Sequence, residues 1–77
     1  MIYALWDMQS NNLVAEYPDE KSALHVVLES LDRNGTAAAE SLALDVEDEH
    51  GNIVPIAHGH TLIERAQHEL ASARIVG

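Results

Sequence analysis

Three polar side chains near the C-terminal end of the chain have the types and the spacing that could bind a metal ion. His60, Glu64 and His68 are four residues apart, a spacing that aligns them along one side of a helix. Two imidazoles and one carboxylate are suitable ligands for zinc and other transition metals. A solvated helix face explains the same pattern, because this side lies opposite the apolar face and Glu64 is also suited to cap the helix start.

A second candidate metal motif is the pair His58 and His60, which flank Gly59. In an extended chain both imidazoles project to the same face, and short motifs of this kind occur in metal sites. The spacing specifies no third ligand, and a polar junction between a strand and a helix explains the pair equally well. The metal hypothesis therefore rests on His58, His60, Glu64 and His68.

Four acidic residues cluster before the second predicted turn: Asp45, Glu47, Asp48 and Glu49. Paired carboxylates can perform acid–base catalysis or bind calcium, but the spacing of a calcium loop is absent. Catalytic carboxylates also need a walled pocket, which a hairpin tip rarely provides. The cluster is typical of a solvated acidic edge that discourages strand pairing, or of a docking surface for a basic partner.

The remaining chemistry of the sequence gives no catalytic set. The chain has no cysteine, its serines lack the motif of a nucleophile elbow, and its four glycines form no phosphate-binding loop. The sequence therefore predicts a protein that is not an enzyme and that needs no cofactor.

The charge balance excludes two further classes of ligand. Thirteen acidic residues stand against four cations for a net charge of −9, and protonation of all five histidines would bring this only to −4. Nucleic acids and anionic membranes are bound through clustered lysine and arginine. We expect no direct binding to either, and the acidity favours a basic protein partner.

The first half of the chain predicts a hairpin followed by a helix. Residues 2–8 and 13–17 are rich in apolar and aromatic types, and an asparagine-containing turn separates them. Pro18 ends the pairing, Asp19 is placed to cap an amphipathic helix, and Gly35 closes that helix in a left-handed conformation.

The second half repeats this order after a connector at 36–40 that could be helical or irregular. Alternation over 42–47, a turn with Gly51 in a bulge and a strand interrupted by Pro55 predict another hairpin. A capping box of Thr61 and Glu64 predicts the start of the last helix. Its apolar face comprises Leu62, Ile63, Ala66, Leu70 and Ala73.

The predicted class is α+β, a single domain of two ββα units at 1–35 and 41–77. Aligning Asn12 with Asn52 gives an offset of about forty residues, consistent with a supersecondary repeat. We expect a four-stranded, mainly antiparallel sheet with two helices on one face, in an order that the sequence does not reveal.

The aromatic residues all lie on the first hairpin. Tyr3, Trp6 and Tyr17, together with Leu5, complete the core or form a partner interface, for which tyrosine and tryptophan are enriched. The register decides which of them face outward. The partner-binding hypothesis therefore comprises these residues and two members of the acidic cluster: Tyr3, Leu5, Trp6, Tyr17, Asp45 and Glu47.

A chain of this size buries only about 60% of its unfolded surface, and without cysteine it cannot add disulfides. We therefore expect self-association, as a homodimer. The first residues resemble no signal peptide and no segment is long enough to span a bilayer, so the expected location is the cytoplasm.

The step Tyr17-Pro18-Asp19, where a hairpin strand runs into a capped helix, resembles small antitoxins of the HicB type. The resemblance implies a partial ribonuclease-H-like domain that sequesters a basic toxin, although the additional strand usual before the helix is missing here. The leading hypothesis is a non-enzymatic, self-associating module that binds and inhibits another protein. The alternative is a small histidine-based metal-binding protein.

Overall fold

The computed structural model describes residues 1–76, with side chains described as far as Leu70. The predicted position of Ala73 on the apolar helix face lies outside the described side chains. The elements follow one another as β1 (Ile2–Asp7), β2 (Asn12–Tyr17), α1 (Glu20–Asn34), α2 (Thr36–Glu40), β3 (Leu42–Glu47), β4 (Ile53–His58) and α3 (Gly59–Val76). The order ββαββα is confirmed, with the connector folded as the short helix α2.

The four strands form one antiparallel sheet in the order β2-β1-β3-β4. The α+β class and the antiparallel sheet are therefore confirmed, and the structure adds the strand order. β1 and β3 are central and lie side by side, with Leu5 directly opposite Leu44. The first strand of each unit is thus in the middle of the sheet, and the second strand of each unit is at an edge.

Each hairpin contains a bulge, and both bulges lie directly after the paired residues Leu5 and Leu44 of the central strands. The register of β1 on β2 shifts between Leu5 and Trp6, and that of β3 on β4 shifts between Leu44 and Asp45. The structurally equivalent residues in the central strands are therefore Leu5 and Leu44, which are 39 residues apart (44 − 5). The sequence alignment of Asn12 with Asn52 does not follow this equivalence, because the second hairpin has a longer turn.

The core lies between the sheet and the helices, on one face of the sheet. Leu5, Leu42 and Leu44 point from the central strands toward apolar residues of α1 and α3. The helical side of the core consists of Ala23, Leu24, Val27, Ala39, Leu62, Ile63, Ala66 and Leu70. Full burial of a leucine-sized side chain contributes about 1.5–3 kcal/mol, so these few residues carry most of the hydrophobic stabilisation.

The ends of α1 are set by the residues that the sequence predicts. The carboxylate of Asp19 accepts a hydrogen bond from the Ser22 backbone N–H at 2.8 Å, so the predicted N-cap is confirmed. Gly35 ends the helix with φ 88° and ψ 175°, and its N–H donates to the Leu31 carbonyl. This conformation has the predicted positive φ but an extended ψ, a region that is essentially restricted to glycine, and it lets α2 begin at the next residue.

The start of α3 differs from the prediction. The helix begins at Gly59, two residues before the predicted cap Thr61. Glu64 does not act as the partner in a capping box; its carboxylate lies 2.8 Å from the Nε2 atom of His60, one turn away. The physical reason is that β4 continues to His58, which leaves Gly59, at φ 59°, as the junction between strand and helix.

Candidate functional site

The helices cover one face of the sheet only, and the other face forms the candidate site, here called the open face. The register sorts its side chains into three rows across the strands. The first row is Leu13, Trp6, Ala43 and His58. The second row is Glu16, Ala4, Asp45 and Pro55. The third row is Ile2, Glu47 and Ile53. Pairing across antiparallel strands places the side chains of each row on the same face.

Large apolar side chains on the open face are exposed without a covering element. Ile2 and Leu13 are each 44% exposed, and Ile53 is 63% exposed. Met8, in the turn beside this face, is 57% exposed, and Trp6 is half-buried among its neighbours. Leu13, Trp6 and Ala43 are neighbours in the first row, whereas Glu47 separates Ile2 from Ile53 in the third row. Contiguous apolar surface such as that of the first row commonly marks an interaction site.

A cleft of about 440 Å³ lies on the open face beside the sole tryptophan. Its lining residues come from the rows around Ala43 and from the first turn: Trp6, Met8, Asn11, Ala43, Leu44, Asp45, Pro55, Ala57 and His58. The small side chain of Ala43 lies between Trp6 and His58 in the first row, which explains why the surface is recessed here. The volume is within the range of about 300–1,000 Å³ that is usual for ligand pockets.

The sheet carries acidic residues and no lysine or arginine. The four cations of the chain, Lys21, Arg33, Arg65 and Arg74, all lie within α1 and α3. Glu16, Asp45 and Glu47 are on the open face, and both Asp45 and Glu47 are half-buried. The open face is therefore apolar and negatively charged at the same time.

The predicted partner-binding residues divide between the two faces. Trp6, Asp45 and Glu47 lie on the open face, whereas Leu5 is completely buried under the helices. Tyr3 and Tyr17 are opposite each other on the helix-covered face, where both are half-buried and pack against the core. Burial raises the pKa of the Tyr17 phenol, with a smaller contribution from the negative charge of Glu29. These three residues therefore belong to the core side of the sheet.

One member of the acidic cluster builds the second turn. Asp48 accepts hydrogen bonds from the backbone N–H groups of His50 and Asn52 at 2.8 and 2.9 Å. The Asn52 N–H is the main cause of the lowered pKa of Asp48. Gly51, at φ 82°, allows the chain to reverse here, as the sequence predicts. Asp48 therefore has a structural role, distinct from that of Asp45 and Glu47.

The histidines of the metal hypothesis do not converge. His58 ends β4 on the open face, whereas His60 and Glu64 form an exposed pair on α3, and His68 lies two turns beyond His60. Among residues with described side chains, no group of three or more potential ligands is arranged to hold a metal ion. The structure brings together two of the four predicted ligands, His60 and Glu64, and the metal hypothesis stays a prediction.

Several open-face residues are absent from the sequence-based hypothesis, namely Ala43, Pro55, Met8 and Leu13. Alternation along β1 already places Ile2, Ala4 and Trp6 on one face of the sheet, although the sequence does not show which face is open. The residues of β2 and β4 could not be found in this way, because each bulge inserts one residue and reverses the alternation beyond it.

No family model, curated protein or solved structure matches the chain. The resemblance to HicB-type antitoxins accordingly stays a prediction. Across the part of the chain that the structure describes, no helix combines the length and apolar character required to cross a membrane.

Proposed function

We propose that this protein is a non-enzymatic binding module that docks another protein on the open face of its sheet. The observation that carries the proposal is the placement of every helix against one face, which leaves Ile2, Leu13 and Ile53 exposed on the other. An antiparallel sheet can be solvated on one side, but its outward residues are then mainly polar. Here the outward rows combine large apolar side chains with a cleft.

The size of the open face suits a compact interface. Four strands spaced about 4.8 Å apart, with six residues rising about 3.3 Å each, give a footprint of roughly 20 by 20 Å. A standard interface buries about 800 Å² on each partner, roughly twice this projected area. A docked partner would therefore also contact the rim, where Met8 and the edge strands β2 and β4 are exposed.

The charge of the open face favours a basic partner over a second copy of the chain. Stacking two copies through this face would bring together Glu16, Asp45 and Glu47 from each protomer with no lysine or arginine from the strands to compensate. Like charges in an interface are unfavourable, whereas complementary charge accelerates and orients association. The self-association expected from the chain's size would use another surface, such as the free edge of β2 or β4.

A module of this kind acts by occupying its partner's surface, which is the generic action of inhibitors and antitoxins. The acidic, cysteine-free composition and the lack of a catalytic motif support this role and the cytoplasmic location predicted from the sequence. Both remain proposals.

The test uses two adjacent residues of β4 that point to opposite faces. Ile53 is 63% exposed on the open face, and Val54 is 53% exposed on the helix side of the sheet. We expect Ile53→Asp to abolish capture of a basic protein from a lysate of the source cells, and Val54→Asp to retain it. Equal capture by both variants, or capture of nothing by the wild type, would refute the proposal. Sedimentation of the wild type and of Ile53→Asp would show whether a second copy is the occupant, because a dimer that uses the open face is lost in this variant.

A further inference from the structure

We infer that the open-face cleft between Trp6 and Asp45 binds an arginine side chain of the partner protein. This inference rests on the proposed function and specifies the chemistry of its central contact. Trp6 is directly opposite Ala43, and Asp45 is two residues further along the same strand as Ala43. Such diagonal neighbours are within reach of aromatic and long side chains across a shared space.

The lining of the cleft matches the two parts of an arginine side chain. Trp6, Met8, Ala43 and Pro55 present apolar surface for the aliphatic stem. A tryptophan ring attracts a guanidinium through its π-electrons, and a carboxylate binds the guanidinium by charge-assisted hydrogen bonds. Arginine exploits both contacts better than lysine, because its planar group can stack on the ring and bind a carboxylate with two N–H groups.

Asp45 is a half-buried carboxylate available to such a ligand. Within the part of the chain whose side chains are described, it has no hydrogen-bond or ion-pair partner. Several other carboxylates have one: Glu20 pairs with Arg65 and Glu29 pairs with Arg33. Glu47, two residues from Asp45 on the same face, adds negative potential to the same region.

The two arginines whose side chains the structure describes do not favour a second copy as the occupant. Arg33 and Arg65 are each already within 3.2 Å of a carboxylate on the helix layer. Using either of them to fill the cleft of another copy would break an existing pair, and the two acidic open faces would still approach each other. A basic partner avoids both costs.

The binding can be measured with the intact protein, because Trp6 is its sole tryptophan and lines the cleft. The probes are three blocked tripeptides of identical flanking sequence, Leu-Arg-Leu, Leu-citrulline-Leu and Leu-Lys-Leu, titrated at fixed low ionic strength. Citrulline keeps the shape of arginine and removes its charge. We expect the arginine peptide to shift the Trp6 emission saturably, the citrulline peptide to bind about tenfold more weakly or worse, and the lysine peptide to fall between them.

The matched variants are Asp45→Asn and Asp32→Asn. Each removes one negative charge, the first from the open face of the sheet and the second from the helix layer. Asp32 is exposed on α1. We expect Asp45→Asn to weaken the arginine peptide about tenfold and Asp32→Asn to leave its affinity unchanged within twofold. Equal weakening by both variants would show a diffuse charge effect and overturn the inference, as would equal binding of the arginine and citrulline peptides to the wild type.

Failure of this inference is distinguishable from failure of the proposed function. If the arginine peptide does not bind but Ile53→Asp still abolishes partner capture, the cleft takes no arginine and the docking face stands. If a concentration-dependent dimer forms and Trp6→Ala dissolves it, a second copy occupies the face and the inference is wrong.

Discussion

Truncation of two leucines on opposite faces of the sheet gives the most direct test of the fold. Leu5, on the central strand β1, is fully buried under the helices, whereas Leu13, on the edge strand β2, is 44% exposed on the open face. Leu5→Ala and Leu13→Ala remove the same atoms, so that any difference in stability reports the surroundings of each side chain. Neither change alters the tryptophan that serves as a fluorescence reporter.

The expected magnitudes follow from burial and from the freedom of each site to relax. Leu5 is held by strands on both sides, so the cavity left by Leu5→Ala cannot collapse easily, and we expect a loss of about 3–4 kcal/mol within the usual range for such changes. Leu13 has already about half of its side chain in water and leaves no cavity, so its truncation should cost about 1 kcal/mol. A chain of 77 residues has a total stability of roughly 4–12 kcal/mol.

Urea unfolding followed by circular dichroism and by Trp6 fluorescence measures both losses. With a slope of about 1 kcal/mol per molar urea, the midpoint should fall by about 3 M for Leu5→Ala and about 1 M for Leu13→Ala. If Leu5→Ala is unfolded without urea, Leu5→Val, which should lose about 1 kcal/mol, is compared with Leu13→Val, which should lose about half of that. Equal losses at the two sites, or a larger loss at Leu13, would refute the assignment of the faces.

Three further predictions concern the helix ends and the contact between the two long helices. Gly35→Ala should lower the stability measured by thermal unfolding by about 1–3 kcal/mol, because a residue with a side chain rarely adopts φ 88° with ψ 175°. The cost comes from the backbone alone, since no heavy atom lies within 4 Å of the added Cβ. An unchanged stability would contradict the assigned conformation. The Ser22 backbone N–H lowers the pKa of Asp19. The stabilisation by this cap is therefore complete above the ordinary aspartate pKa, and it is lost as the pH falls through the lowered folded value, below about pH 4. Asp19→Asn caps the helix without titrating, so this variant should flatten that part of the pH–stability curve. Glu20→Gln should lower the free energy of unfolding by less than about 1 kcal/mol, and by less still in high salt. The reason is that the two carboxylate oxygens of Glu20 lie 3.0 Å from one nitrogen of a partly exposed Arg65. A larger loss of stability would mean that the pair is less accessible to water than its exposure indicates.

Local chemistry made the element order and the ends of α1 predictable. Asp19 and Gly35 each have one residue type suited to one backbone task, so a single sequence is enough to identify them. The positive φ of Asn11 in the first turn and of Gly51 in the second follows from the same rule. These features depend on interactions between residues close in sequence.

The strand order and the composition of the open face could not be predicted, because they depend on contacts distant in sequence. The pairing of Leu5 with Leu44 brings together strands that are separated in the chain by β2 and two helices, and no local signal specifies it. The bulges of β2 and β4 then place Leu13 and His58 on the face of Trp6 against simple alternation along each strand. The predicted helix start at Thr61 is wrong because the helix begins at Gly59, and Glu64 then pairs with His60 in place of capping the helix.

The position of β3 in the sheet gives the strongest reason to regard its acids as part of a binding surface. From sequence, Asp45 and Glu47 suit an edge that repels other strands, but β3 is a central strand paired on both sides. Protection against edge-to-edge pairing explains Glu16 on β2 and does not explain these two carboxylates. Solubility would be served equally well by acids on the exposed helix surface, such as Asp32 and Glu69. Asp45, diagonal to Trp6, and Glu47, opposite Ile53, place negative charge in the middle of the sheet, where it is complementary to a docked cationic side chain.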